Sequence, residues 1–157
     1  MRKSIIAQGS RGVISPDLDW LDLPAIARVE LTSEEASHPI ESALDPYGGS
    51  GWRASEPGRQ TIRLLFDEPQ RIRRIHLVFH EAERQRTQEF VLRLSPDGGR
   101  SYREIMRQQY NFSPPDASRE IEDYVVDLTG VTALELVIVP EISGGDARAS
   151  LARLLLA

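Results

Sequence analysis

The sequence contains no cysteine. Disulfides, thiolate nucleophiles and cysteine-ligated metals are therefore excluded, and the core alone must hold the fold. It also lacks the run of roughly 18 apolar residues that a membrane-spanning helix needs, so no membrane span is expected. The basic start, Met1-Arg2-Lys3, leads into an apolar stretch of only Ile5, Ile6 and Ala7. That is too short for the core of a secretion signal, and a cytoplasmic location is the expectation. Positive charge is in deficit, with 19 Lys+Arg against 24 Asp+Glu and a net charge of −5. Such a chain offers no general attraction to a phosphate backbone, so nucleic acid is not expected as a partner. Gly48-Gly49-Ser50-Gly51 is not followed by the lysine and helix of a phosphate-binding loop. No G-x-S-x-G nucleophile elbow occurs. No repeat of 20–50 residues is found, which excludes a propeller or solenoid.

What is present is alternation. Residues 1–25 form a lead-in with Gly9, Gly12, Pro16 and Pro24; within it Asp17 to Leu23 places Leu18, Trp20 and Leu21 among acids, suited to a helical turn or short strand docked on the body. From residue 26 to 157 a period of two takes over. Val29 and Leu31, then Ile62, Leu64 and Phe66, then Ile75, Leu77 and Phe79 fall on single faces of extended segments. Phe90, Leu92 and Leu94 follow, then Leu134, Leu136 and Ile138, then the apolar end at Leu151, Leu154 and Leu156. Alternation of this kind puts one face of each strand into a core. Turn signals separate the runs, among them Glu68-Pro69, Pro96-Asp97-Gly98-Gly99, Pro114-Pro115-Asp116 and Gly144-Gly145-Asp146. A short helix is possible after Ser33, interrupted by Pro39. Seven or eight short strands make this an all-β chain, an antiparallel sandwich or barrel.

Ser95-Pro96-Asp97-Gly98-Gly99-Arg100-Ser101-Tyr102 fits the box that sialidase propellers repeat in each blade, but it occurs once. It reads as a hairpin turn in which Asp97 accepts local N–H groups and a glycine supplies a positive φ.

Taken in order, Ala43-Leu44-Asp45 with Trp52, Phe66-Asp67-Glu68-Pro69, Ser95 with Asp97-Gly98 and Tyr102, and the closing strand Leu151 to Leu156 resemble the discoidin family. These are also called coagulation-factor type C, or galactose-binding-like, domains. The resemblance covers roughly residues 26–157. It implies an antiparallel jelly-roll β-sandwich of a mostly non-catalytic family whose members bind sugars, phospholipid heads or proteins through loops at one end. Trp52 is an aromatic candidate for stacking on a sugar, while relatives imply that it packs inside. Many sugar-binding members hold a structural calcium through the aspartate loop and a glutamate of the last strand. Here that loop offers Asp45 and Ser50, while the glutamate position falls at about Arg153, which would bring positive charge instead. The alternatives at Asp45 are a calcium loop and a plain turn; no other cofactor is expected.

The charged loop after the third apolar run offers His80, Glu81, Arg84 and Arg86, and relatives grip sugar hydroxyls with a histidine or glutamate and an arginine from about this place. Tyr110, Asn111 and Phe112 would form a second loop, its aromatics available for the apolar face of a sugar. His76 and His80 do not form a zinc pair, because four residues on a strand span about 13 Å. The carboxylates of Asp67 and Glu68, and of Glu120, Glu122 and Asp123, could pair as a glycosidase acid and base, but acids in strands and turns are usually just exposed. The expected function is a non-catalytic binding module for a carbohydrate or similar polar ligand. The alternative is an intracellular protein–protein interaction domain on the same scaffold.

Overall fold

The computed structural model describes residues 19–157, so the lead-in is seen only from Asp19 onward and residues 1–18 lie outside the described residues. A helical turn, α1 (Leu23–Ile26), precedes β1 (Ala27–Leu31). After Pro39 comes a second single-turn helix, α2 (Glu41–Leu44). The strands that follow are β2 (Trp52–Arg53), β3 (Gln60–His80), β4 (Arg86–Ser95), β5 (Arg103–Phe112), β6 (Arg119–Val139), β7 (Ser150–Leu151) and β8 (Arg153–Leu156). All strand pairings are antiparallel. The larger sheet has the order β1-β3-β6-β4-β5, with β8 also on β3, and β2 pairs with β7 apart from it.

β3 and β6 each contain 21 residues. Straight, either would run roughly 70 Å at about 3.3 Å per residue, well beyond the roughly 40 Å breadth of a compact chain of this size. They bend instead. The β3–β6 register slips between Leu65 and Gln70, between Gln70 and Ile72, and between Ile72 and Arg74. The first slip leaves three extra residues on β3 and each of the other two leaves one extra on β6, and such insertions bend the strands. Opposite these slips Gly130 adopts φ +65°, which glycine takes without strain. The first half of β3 therefore lies with β1, the second half of β6, β4 and β5, and the second half of β3 lies between β8 and the first half of β6. These are the two layers of a β-sandwich. Glu68-Pro69 does not end a strand, contrary to its reading as a turn: the chain passes through it from one layer to the other.

The alternating side chains meet between the layers. Ile62, Leu64, Ile75, Leu77, Phe79, Phe90, Leu92, Leu134, Leu136, Ile138, Leu154 and Leu156 are all buried in one cluster. Each contributes roughly 1.5–3 kcal/mol of burial free energy. Phe79 and Phe90 stack across the layers at 5.2 Å. Of the lead-in's described residues, Leu21 donates its N–H to the Leu156 carbonyl at 2.8 Å, and Leu23 is fully buried.

The Ser95–Tyr102 stretch is the β4–β5 turn. Asp97 accepts from the Ser101 N–H at 2.9 Å and the Ser101 hydroxyl at 2.6 Å, and from the Ser95 hydroxyl at 2.7 Å. These bonds hold its carboxyl down to about 2. Gly98 and Gly99 take positive φ.

Candidate functional site

β2 and β7 pair Trp52 with Leu151 and Arg53 with Ser150, drawing the chain after α2 and the C-terminal segment to one end of the sandwich. β3 also ends there, at His80, and the loop to β4 follows. Between them lies a cleft of about 310 Å³. Trp52 forms its floor; it is 1% exposed and donates Nε1–H to the Ser33 carbonyl at 3.1 Å. The walls carry His80, Glu81 and Arg84 on one side and His38, Arg53 and Arg148 on the other, with Asp146 at the rim.

Glu81 organises the first wall. Its Oε2 accepts from the N–H groups of Glu83 (3.0 Å) and Arg84 (3.3 Å), and its Oε1 accepts from Arg86 Nε at 2.6 Å. Burial works against its charge, but the bonds from Arg86 and the backbone together outweigh it and hold the carboxyl below its usual range. Arg86 is the hidden half of this arrangement. Its Nη1 donates to Gln88 Oε1 (3.1 Å) and to the Pro140 carbonyl (2.9 Å), and its guanidinium lies 4.6 Å over the Phe112 ring. Arg84 reaches across to Asp146 Oδ1 at 3.1 Å, which lowers the pKa of that carboxyl. On the second wall Glu35 receives Arg148 at 3.2 Å, Arg53 at 3.5 Å and His38 at 3.4 Å. One carboxylate thus positions two guanidinium groups and an imidazole. Such a rim offers planar donors and carboxylate acceptors to a polyhydroxylated or anionic ligand.

Of the residues expected to bind ligand, His80, Glu81 and Arg84 line the cleft. Arg86 lies beneath it, with its side chain 1% exposed. Tyr110, Asn111 and Phe112 are not on a loop. They end β5, paired with Gln88, Thr87 and Arg86, and the turn comes only at Ser113–Ala117. Phe112 is buried, Tyr110 packs edge-on against it at 4.9 Å, and exposed Asn111 accepts from the Thr87 hydroxyl at 2.6 Å. No aromatic platform forms from this trio, because Arg86 and the core take the ring of Phe112. His38, Arg53, Asp146 and Arg148 are the cleft residues that sequence reading missed. The turn signal Gly144-Gly145-Asp146 was the one available hint.

The oxygens of the Asp45 loop do not suit a calcium ion. Asp45 Oδ1 accepts from the Tyr47 N–H at 2.9 Å, and the Asp45 carbonyl accepts from Arg153 Nη1 at 2.9 Å. The Ser50 hydroxyl points to the Ser37 carbonyl at 3.4 Å. A guanidinium therefore holds the loop oxygen that a cation would need. Among the described residues no group of three His, Asp or Glu is placed to hold a metal. Nor do the suspected catalytic acids line the cleft: Glu120 is 1% exposed, its Oε1 accepting from Gln88 Nε2 at 3.1 Å.

The family model of the F5/8 type C domain matches residues 28–152. The chain belongs to the F5/8 type C family. No curated protein matches it in sequence. Among solved structures this F5/8 type C domain is similar to the family 32 carbohydrate-binding module of Clostridium perfringens NanJ, in complex with galactose. The two share 13% identity over 85% of this chain and 95% of that one, with a TM-score of 0.63. A Clostridium perfringens module in complex with GalNAc-β-1,3-galactose shares 19% identity over 88% and 99% of the two chains, TM-score 0.64. The AlyQ module in complex with 4,5-unsaturated mannuronic acid shares 15% over 89% and 98%, TM-score 0.63. These likenesses show a common fold, the expected discoidin-like β-sandwich.

Proposed function

We propose that this F5/8 type C domain is a non-catalytic module that binds a carbohydrate in the cleft between the β3–β4 loop and the β2–β7 pair. The observation that carries this reading is the convergence of Arg84, Arg148, Arg53, His38 and His80 around one cleft of about 310 Å³ at the end of the sandwich. Pockets of this size suit small ligands. The charge-assisted donors there are held by acids rather than buried, so sugar hydroxyls or a sugar carboxylate can exchange with the solvent-exposed pairs, which contribute little to stability. The complexes of the similar modules with galactose, GalNAc-galactose and an unsaturated uronate support the ligand class. Calorimetric titration with galactose, N-acetylgalactosamine and a uronate tests it. Binding of at least one is expected, weakened about tenfold in Arg84→Ala and in Arg148→Ala. No heat with any saccharide at millimolar concentrations, or full affinity in both variants, would overturn the assignment.

A further inference from the structure

Among the described residues His76 is the one buried histidine, and it is not part of the cleft. Its neighbours Ile75 and Leu77 point into the core, so along an extended strand its ring points to the opposite face of that layer. Its cross-strand partner there is Leu155 of β8. An outer face ordinarily meets water, yet His76 and Leu155 are each 1% exposed. Part of the cover is the lead-in. The Trp20 indole lies against the imidazole, ring centroids 6.0 Å apart and planes tilted by 45°. Among the described residues, a single backbone bond ties residues 19–26 to the strands beyond them, from the Leu21 N–H to the Leu156 carbonyl.

The surroundings of this ring suit its neutral form. Its Nδ1 stands 3.9 Å from Asp123 Oδ1, beyond hydrogen-bond reach. Both oxygens of that carboxylate already accept from Arg74, Oδ1 from Nε at 2.9 Å and Oδ2 from Nη2. The His76 Nε2 is buried with no partner among the described residues, and so is the Trp20 Nε1. An imidazolium carries two N–H donors, and here the second has no acceptor. The charged groups around the ring are Asp123 on β6, Arg74 on β3 and Arg153 on β8, one acid against two guanidinium groups. Burial above all lowers the pKa of the imidazole, and the two arginines oppose the pull of Asp123. An indole face attracts a cation, but water solvates one better, so a proton favours the state in which the ring is wet. The sign follows. The covered state is fully favoured above the ordinary imidazole value of about 6.5 and is lost as pH falls through the lower value of the covered ring.

We propose that His76 is an acid-sensitive latch: a proton on its ring releases the Trp20 indole from the outer face of β3 and β8 while the sandwich stays folded. The Leu21–Leu156 bond is the backbone tie at stake, and Leu23, fully buried, stays as the anchor. Such a local opening costs far less than giving up the core. No cleft residue takes part, so the latch stands independently of the cleft's ligand. The test is fluorine NMR of the full chain labelled with 5-fluorotryptophan, titrated from about pH 8 to about pH 4.5. The chain has two tryptophans, and Trp20→Phe assigns their resonances. The Trp20 resonance should take on the solvent-isotope shift of a wet indole with a midpoint below about 6.5. The Trp52 resonance and the far-ultraviolet circular dichroism should not change. His76→Gln should abolish the transition. In the unaltered chain the His76 ring resonances should titrate with the same midpoint as Trp20, which decides the matter even if the glutamine variant does not fold. The coupling is reciprocal, so Trp20→Ala should move the His76 midpoint up toward the ordinary imidazole value. A Trp20 that stays dry throughout, a transition that survives in His76→Gln, unequal midpoints, Trp52 moving together with Trp20, or a His76 midpoint indifferent to Trp20→Ala would each overturn the proposal.

Discussion

At the scale of single residues, the buried polar chain behind the cleft governs how the domain responds to pH. It runs from Glu81 through Arg86 and Gln88 to Glu120. Beyond Glu120, Glu122 accepts from the Tyr124 hydroxyl. Burial, and then the neighbouring carboxylate of Glu122, push the Glu120 carboxyl up to about 8, against the pull of Gln88 and Arg86. Burial and Glu122 raise the Tyr124 hydroxyl as well. A carboxyl whose pKa is higher in the folded than in the unfolded chain binds an extra proton on folding. The stability it contributes is complete below the ordinary carboxylate range and is lost as pH rises through about 8. Unfolding free energy should fall by on the order of 1.4 kcal/mol per pH unit within that window. Urea unfolding between about pH 5 and about pH 9 measures the slope. Glu120→Gln, which keeps the shape and removes the charge, should flatten it, and a slope unchanged by that substitution would show that Glu120 is not the group responsible.

At the scale of elements, the two-residue β2–β7 pair matters more than its length suggests, because it carries Trp52 and Arg53 into the cleft. It depends on Gly51, whose φ is +78°. A Cβ there would stand 2.8 Å from the Leu151 carbonyl oxygen and 3.0 Å from the Ala152 Cα, both backbone atoms of the partner segment. Gly51→Ala should therefore cost about 2–4 kcal/mol, the sum of a left-handed backbone and a contact that cannot relax. Gly58, at φ +85° with nothing within 4 Å of its Cβ position, is the control. Its alanine variant should cost only about 1 kcal/mol. Equal losses in chemical denaturation would show that crowding at Gly51 contributes nothing. The long strands show the same dependence on context. Locally, Glu68-Pro69 reads as a turn. In the sheet it is a bend, because the apolar faces before and after it belong to one core and the chain saves no surface by reversing.

At the scale of the whole molecule, Arg153 on β8 ties the last strand to the aspartate loop through the Asp45 carbonyl, with its positive charge covalently supplied. Neither calcium nor a chelator should change the midpoint of thermal unfolding. A rise on adding calcium would mean that an ion binds the folded state after all. The two-layer architecture was legible without coordinates, since Ile75, Leu77 and Phe79, or Leu134, Leu136 and Ile138, alternate with polar residues, and water enforces that period. His80, Glu81 and Arg84 were legible as well, because they sit together in one charged loop. The rest of the cleft was hardly so: Arg148 and the Glu35 that holds it lie 113 residues apart, and only the Gly144-Gly145-Asp146 turn signal stands near either one. Nor was the burial of Arg86 and Phe112 visible, since an arginine beside a loop looks solvated until Glu81, Gln88 and Pro140 are seen to surround it. Hydrophobic period is a property of neighbours along the chain, and the sequence by itself determined it. Which charges face one another across a cleft depends on how two bent strands bring distant segments together, and only the folded molecule decided that.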